Sequence, residues 1–295
     1  MNNAALAPVT ANADVLYIGY PKAASVFLGK FLENHPEVTT DNNRIVPVLL
    51  HSATGSFPIV EKPCHNKIHV SRDEGFAESL CVTGDLSIWH RHKYVPGAWD
   101  RVKGDILVDP GEAASRLHRT HPQAKVLMVI REQTDWLNSI YKYSINELPA
   151  GQRSFTDYCA TPYGAVLLQA GHFDRTISTY LDIFGANRVC VLHYEDIVKA
   201  PARFTARLCA FIGISERPLP ARRENESHAQ IARILRLFPI VGRLPRKAKD
   251  AIKPRAARLM PGARGVLLSS GEVRLLRSIY ALSNQHTEKL IKQLP

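Results

Sequence analysis

The chain has 295 residues, with 38 Lys/Arg against 27 Asp/Glu for a formal charge of +11; apolar residues make up 45% and charged residues 22%. This is an ordinary globular composition, and it excludes a disordered chain, a collagen and a disulfide-dense scaffold. The five cysteines, Cys64, Cys81, Cys159, Cys190 and Cys209, contain no C-x-x-C pair, so neither a zinc site nor a dithiol redox motif is indicated, and a reducing compartment is the simpler setting.

The first fourteen residues lack a basic segment followed by an apolar core, and apolar runs such as Val126–Ile130 are too short for a bilayer helix. A soluble, cytoplasmic protein is therefore expected. Residues 14–19, DVLYIG, suit a buried strand, and Tyr20-Pro21 ends it. Residues 25–34 then show helical spacing, with Val26, Phe27, Phe31 and Leu32 on one face, Ser25 as a candidate cap and His35-Pro36 as the stop. A further apolar run lies at 79–89, and 112–121 reads as a helix closed by Pro122. Residues 125–130, KVLMVI, suit a central parallel strand. A helix is predicted over 134–146, a long helical stretch over 165–184 ending at Gly185, a strand over 188–193, a helix over 201–212 and an amphipathic helix over 271–293.

Strands alternating with helices predict an α/β fold, a three-layer domain with a central parallel sheet flanked by helices. Cys190 and Cys209 fall in apolar runs and are expected in the core. One domain is expected over 1–295, with a core at 14–230 and a basic helical C-terminal portion at 231–295. Charge concentrates late in the chain: residues 222–264 hold 12 Lys/Arg against three Asp/Glu. That stretch is either a solvated basic face or a landing surface for anions, among them nucleotide phosphates, an acidic polysaccharide or an anionic membrane surface. No nucleic-acid-binding module is present, so no nucleic acid is expected as a partner.

Ligands of parallel sheets bind at the carboxyl ends of the strands, and three polar constellations fall there. In Pro21-Lys22-Ala23-Ala24-Ser25-Val26-Phe27-Leu28, a turn entering a helix offers backbone N–H groups and a positive dipole end, with Lys22 as a neighbouring charge. The same residues also suit an ordinary strand-to-helix turn, and they lack the Walker pattern G-x-x-x-x-G-K-[ST]. In the second, Arg131 leaves a strand and Ser139 follows on the next helix, so a guanidinium and a hydroxyl could hold a phosphate. The alternative is an arginine paired with Glu132 or Asp135 and a serine bonded to its helix. In the third, Tyr194 at a strand end could stack on a base or simply pack.

Taken in this order, the three constellations resemble the sulfotransferases that use 3′-phosphoadenosine 5′-phosphosulfate (PAPS). The family's phosphosulfate loop, P-K-[ST]-G-[ST]-[ST]-x-[LF], is similar to Pro21–Leu28. Its R-x-x-x-D-x-x-x-S-x-Y motif is matched at Arg131, Asp135, Ser139 and Tyr141. Its Y-E-D-[LI] and F-[LI]-G-[IL] segments are similar to Tyr194–Ile197 and Phe211–Ile214.

The resemblance implies a P-loop-like domain in which Lys22 supports the leaving phosphate and is catalytic. The N–H groups of Ala23, Ala24, Ser25 and Val26 would cradle the 5′-phosphosulfate, Arg131 and Ser139 would bind the 3′-phosphate, and Tyr194 would lie near adenine. Arg222 and Arg223 resemble a late basic loop that closes over the nucleotide. PAPS would be the co-substrate, no metal would be needed, and the acceptor would be a carbohydrate or glycolipid. Residues 222–264 offer peripheral contact with an anionic surface.

The chain departs from the pattern at Ala24, which stands for a glycine, and at Val26, which stands for a hydroxyl residue. A Cβ at 24 is expected to require a negative φ. For the base that takes the acceptor's proton, the segment Asp41–Pro47 resembles a tyrosylprotein sulfotransferase stretch in which the catalytic glutamate falls on Asn42, with Arg44 kept. Asp41 beside it and Asp85 in Thr83–Ser87 are the candidates, followed by His90 and His92. Two other classes also fit the sequence: a nucleotide kinase-like P-loop phosphotransferase, and a non-catalytic polyanion-binding protein.

Overall fold

The computed structural model describes residues 9–10, 13–41, 59–60, 66–73, 80–82, 86–104, 106–145, 147–149, 151–219 and 268–294. In chain order the strands are β1 (Val9–Thr10), β2 (Val15–Gly19), β3 (Val38–Thr40), β4 (Ile59–Val60), β5 (Ile68–Asp73), β6 (Leu80–Val82), β7 (Ile106–Val108), β8 (Lys125–Ile130) and β9 (Val189–His193). The helices are α1 (Ser25–Glu33), α2 (Leu86–His92), α3 (Trp99–Val102), α4 (Pro110–Thr120), α5 (Gln133–Ser144), α6 (Phe155–Cys159), α7 (Pro162–Ala170), α8 (Phe173–Phe184), α9 (Asp196–Lys199), α10 (Pro201–Ile212) and α11 (Ser270–Lys292).

The main sheet has five strands in the order β3-β5-β2-β8-β9, all parallel. The expected α/β architecture, a central parallel sheet flanked by helices, is what forms. Its middle strands are apolar on both faces: every residue of β2 and residues 126–130 of β8 are buried. A strand of that kind must be covered on both sides, and each fully buried Val, Leu or Ile contributes roughly 1.5–3 kcal/mol. From β2 the chain crosses to the β3–β5 side, while β8 and β9 lie on the other side. The crevice at the carboxyl ends of β2 and β8 is thus a topological switch point, where such sheets hold ligands.

Several boundaries differ from the expected ones. The 79–89 run divides: Leu80–Val82 is β6, paired antiparallel with β7 outside the main sheet, and helix α2 begins at Leu86. The 165–184 stretch is two helices. Helix α7 starts earlier, behind a Thr161 hydroxyl that accepts from Gly164 N–H, and the chain breaks at Gly171-His172 before α8. Helix α11 crosses there: a Cβ on Gly171 would come within 2.7 Å of the Tyr280 ring. Strands β3 and β5 complete the sheet, although no periodicity marked them.

Helix α11 packs on α8 and α5. It begins with a capping box, in which Glu272 N–H donates to Ser269 and Ser269 N–H to Glu272. The expected core positions of Cys190 and Cys209 are both buried. Burial pushes the Cys190 thiol up to about 11 and the Cys159 thiol up to about 12, so neither is a thiolate near neutrality. Among the described residues, no helix is long and apolar enough to cross a membrane.

Candidate functional site

The crevice is built from the turn after β2 and the start of the segment after β8. Register pairs Gly19 with Val129 and Ile130 with His193, so the chains leaving β2, β8 and β9 emerge side by side. Tyr194 N–H donates to Ile130 O at 2.8 Å, extending the β8–β9 ladder by one bond and fixing where Arg131 and Tyr194 begin.

The Tyr20–Ala24 turn is held from behind. Trp136 Nε1 donates to Pro21 O at 2.8 Å, and Arg131 Nη1 donates to Lys22 O at 3.1 Å. Both carbonyls are thereby engaged by α5 and the residue that leads into it. The first intrahelical bond of α1 runs from Leu28 N–H to Ala24 O. The N–H groups ahead of it belong to the helix N-terminus, where anions are favoured.

Two non-glycine residues of this turn are left-handed, Lys22 at φ 64° and Ala24 at φ 66°. The expectation of a negative φ at position 24 is therefore corrected: the backbone keeps the conformation for which a glycine is the usual choice, and an alanine occupies it. Each such residue costs roughly 1–2 kcal/mol. Strain of this kind persists where surrounding structure imposes it, and turns with left-handed residues aim successive N–H groups at one point. Ser25 as helix cap is likewise corrected. Ala24 is the N-cap, without a side-chain bond, and Ser25 is the first helical residue. Ala24→Gly is expected to raise the melting temperature by about 1–3 °C, because relief of the Cβ clash exceeds the extra freedom of the unfolded chain. Ala24→Val is expected to lower it. Thermal melts of the two variants check both.

The second constellation closes on the first. The Arg131 guanidinium lies over the Tyr194 ring, 4.6 Å from its centroid, so these residues meet in space although their motifs are far apart in sequence. The pairing of Arg131 with Glu132 or Asp135 does not form. Glu132 instead caps α5, accepting from Asp135 N–H at 2.9 Å and from the Thr134 hydroxyl, while Glu195 accepts Glu132 N–H at 3.0 Å. Among the described residues no carboxylate pairs with Arg131, and its Nε is buried without a hydrogen-bond partner. A half-buried guanidinium in that state offers a fork to an anion. Ser139 lies two turns along α5, half-buried, on the helix that Arg131 introduces. Tyr141, the motif's last fixed position, turns into the core: its hydroxyl donates to Arg153 O at 2.6 Å and its ring meets Phe155 and Tyr158.

Two residues of α5 join the site without having been singled out in the sequence. Burial, together with the Arg131 charge, pushes the Lys142 ammonium below its usual range, against the opposing pull of Asp135. Tyr143 carries the Lys22 ammonium 4.0 Å from its ring centroid. Both are legible only through helix spacing, three and four residues after Ser139.

A lysine whose charged form is disfavoured on folding costs stability below its lowered pKa, and the cost fades as pH rises through that pKa. Lys142→Met is therefore expected to raise the melting temperature of the nucleotide-free protein at pH 7, with a smaller gain at pH 10. Melts of both proteins at the two pH values check this.

Asp41 lies elsewhere on the sheet. It follows β3, where its carboxylate accepts from the Ser71 hydroxyl at 2.8 Å and from Arg72 N–H at 3.4 Å, and lies 3.8 Å from His69 Nε2. The pairing of Thr40 with Val70, and of Val70 with Val15, puts it level with Leu16 and three residues short of Gly19. With β5 between β3 and β2, that is about 10 Å across the strands and about 10 Å along them from the end of β2. His90 and His92 are in the last turn of α2, where burial, with Lys93 second, lowers the His90 pKa. Asp85, Asn42, Arg44, Arg222 and Arg223 lie outside the described residues.

Helix α11 forms a flank of the crevice. Gln133 Nε2 donates to Asn284 Oδ1 at 2.5 Å and to Gly171 O at 3.2 Å, and His193 Nε2 lies 3.5 Å from the Glu288 carboxylate.

A family model described as "Sulfotransferase family" matches residues 14–218, which takes in every described residue of the crevice except those of α11. Among solved structures, a sulfotransferase from Alicyclobacillus acidocaldarius is 16% identical and covers 79% of this chain and 93% of its own, at a TM-score of 0.47. A mouse sulfotransferase complexed with PAP is 11% identical, covering 97% of this chain and 89% of its own, at a TM-score of 0.42. A sulfotransferase from Mycobacterium avium is 10% identical, covering 94% and 77%, at a TM-score of 0.42. No curated protein matches the chain significantly.

Proposed function

The chain belongs to the sulfotransferase family, and we propose that it transfers the sulfuryl group of PAPS to a hydroxyl or amine of an acceptor by in-line displacement. The observation that carries this reading is Arg131: set on Tyr194, tied to the Lys22 carbonyl, and unpaired with any described carboxylate. It stands where a phosphate on one side and the β2 turn on the other would be bridged by one molecule. Arg131 and Ser139 take the 3′-phosphate, and Tyr194 lies beside adenine. The N–H groups of Ala24, Ser25 and Val26 cradle the 5′-phosphosulfate, while Ala23 N–H, which the motif would add to them, donates to Tyr20 O at 3.1 Å and closes the turn. Val26 contributes its backbone alone, since its isopropyl side chain carries no hydrogen-bond donor.

In the reaction the bond from sulfur to the bridging oxygen breaks as the acceptor oxygen or nitrogen bonds to sulfur. The electron pair leaves with adenosine 3′,5′-bisphosphate, and Lys22 together with the helix N-terminus offsets the charge gained by that leaving group. The acceptor's proton passes to a carboxylate. Asp85 and Asp41 are the two put forward, and Asp41 serves only an acceptor that reaches the β3–β5 edge. The acceptor is a carbohydrate or glycolipid. Arg222 and Arg223 close over the nucleotide, and the 222–264 stretch meets an anionic surface. All of this is the work of one cytoplasmic domain.

Calorimetric titration with adenosine 3′,5′-bisphosphate, AMP and ATP tests the nucleotide reading. Affinity that depends on the 3′-phosphate is expected; preference for ATP would instead favour a phosphotransferase. Transfer of labelled sulfate from PAPS to carbohydrate acceptors, with Asp85→Asn and Asp41→Asn compared, identifies the base by which variant loses turnover while still binding the bisphosphate.

A further inference from the structure

Helix α5 turns one narrow face to the crevice. Of its 12 residues only Asp135, Ser139, Lys142 and Tyr143 are not buried. At 3.6 residues per turn these four share an arc of about 100°, with Ser139 near its middle and Lys142 and Tyr143 at opposite margins. Tyr143 marks the side nearest the β2 turn, since the Lys22 ammonium lies 4.0 Å from its ring centroid. Lys142 is therefore on the far side of Ser139 from that turn. It is half-buried, and among the described residues no carboxylate pairs with it. Asp135, whose charge favours the ammonium, lies seven residues back, about 10 Å along the helix axis. Burial and the nearby Arg131 guanidinium both oppose the Lys142 charge.

We propose that Lys142 is the second cation of the 3′-phosphate site, binding the phosphate from beyond Ser139 while Arg131 binds it from the start of the helix. The proposal rests on the nucleotide reading and adds to it a residue outside the motifs. The physical argument is a charge count. A phosphate monoester carries about −1.5 to −2 charges at pH 7. Arg131 supplies one positive charge and Ser139 none, and the Lys22 ammonium lies against the opposite margin of the face. A partly buried dianion matched by a single cation keeps an uncompensated charge, which is costly away from water. A lysine with only a structural part takes a carboxylate partner or extends into water. Lys142 is instead half-buried beside a like charge. Two cations gathered in this way destabilise the empty site, and one doubly charged anion between them offsets both costs. The serine between them on the helix then serves as a hydrogen-bond donor to an oxygen that both cations face.

The test is calorimetric titration of the full chain with adenosine 3′,5′-bisphosphate and with AMP, which lacks only the 3′-phosphate. Lys142→Met is expected to weaken bisphosphate binding by about tenfold while changing AMP binding by less than about twofold. Lys142→Gln, which keeps polarity without charge, is expected to lose as much as Lys142→Met. Lys142→Arg, which keeps the charge, is expected to bind the bisphosphate within about threefold of the parent. Removing a half-buried charge leaves the fold intact, and the melting curves of the same variants check it. Three results would overturn the proposal: an unchanged or tighter bisphosphate affinity in Lys142→Met, an equal loss for AMP, or a loss in Lys142→Arg as large as that in Lys142→Met. The second would mean that the lysine acts only through the general field of the crevice, and the third that its packing and not its charge is what counts. Failure of the parent protein to bind the bisphosphate at all is a different outcome. It removes the nucleotide reading itself, and the proposal with it.

Discussion

Arg131→Ala is expected to weaken binding of adenosine 3′,5′-bisphosphate by about a hundredfold or more and AMP by a much smaller factor, the part due to the lost Lys22 carbonyl anchor being common to both nucleotides. A charged hydrogen-bonded partner removed from a phosphate costs roughly 2–5 kcal/mol, and about 1.4 kcal/mol corresponds to a factor of ten. The discrimination between the two nucleotides follows from the side chain's surroundings. Its guanidinium is set on the Tyr194 ring, and among the described residues no carboxylate neutralises it. Arg131→Lys is expected to recover little, because an ammonium cannot both donate to the Lys22 carbonyl and present a planar fork to the phosphate. Titration of each variant with both nucleotides checks the prediction. An equal loss for AMP would show that the arginine only supports the turn.

The second large effect belongs to Trp136. This indole is fully buried, edge-on to Tyr20 at 5.4 Å and tilted against Phe173 at 5.8 Å, and its Nε1 donates to Pro21 O. Trp136→Ala removes a large core side chain and is expected to cost about 3–5 kcal/mol. For a chain of this size that lowers the melting temperature by about 6–15 °C. Trp136→Phe keeps most of the volume but leaves the Pro21 carbonyl without its donor, at about 1–3 kcal/mol. Both variants are expected to weaken bisphosphate binding more than their distance from the ligand suggests, since the turn loses one of its two carbonyl anchors. Thermal melts paired with titrations separate the two effects: Trp136→Phe is expected to lose affinity out of proportion to its small loss of stability.

The sheet's centre was legible because β2 and β8 are short, continuous apolar runs, the pattern of strands buried on both faces. Strands β3 and β5 were not, because VTT and IHVSRD are polar sequences whose strand conformation comes from pairing beside β2. The split at Gly171 was hidden because the apolar face continues from α7 into α8. The reason for the break, the Tyr280 ring against Gly171, is a contact with a helix more than a hundred residues away.

Within the site, the motif residues were legible as types at the ends of strands. Their mutual arrangement was not: nothing local in the sequence shows Arg131 on Tyr194, or Lys22 on Tyr143. The left-handed φ at Ala24 runs against what an alanine alone would indicate, because the surrounding turn outweighs the residue's own preference.

Helix α11 gives the crevice a history as well as a wall. A chain is made from its N-terminus, and domains begin to fold as they emerge. The sheet, the β2 turn and Arg131 can assemble once β9 and α10 are out. Asn284 and Glu288, which grip Gln133 and His193, come much later. During synthesis the ligand-facing turn therefore exists for a time with one flank open and its Gln133 amide lacking the Asn284 partner. Any chaperone or nucleotide that meets the nascent chain in that interval meets an unfinished crevice, and the arrival of α11 on Gln133 and His193 is the step that closes it.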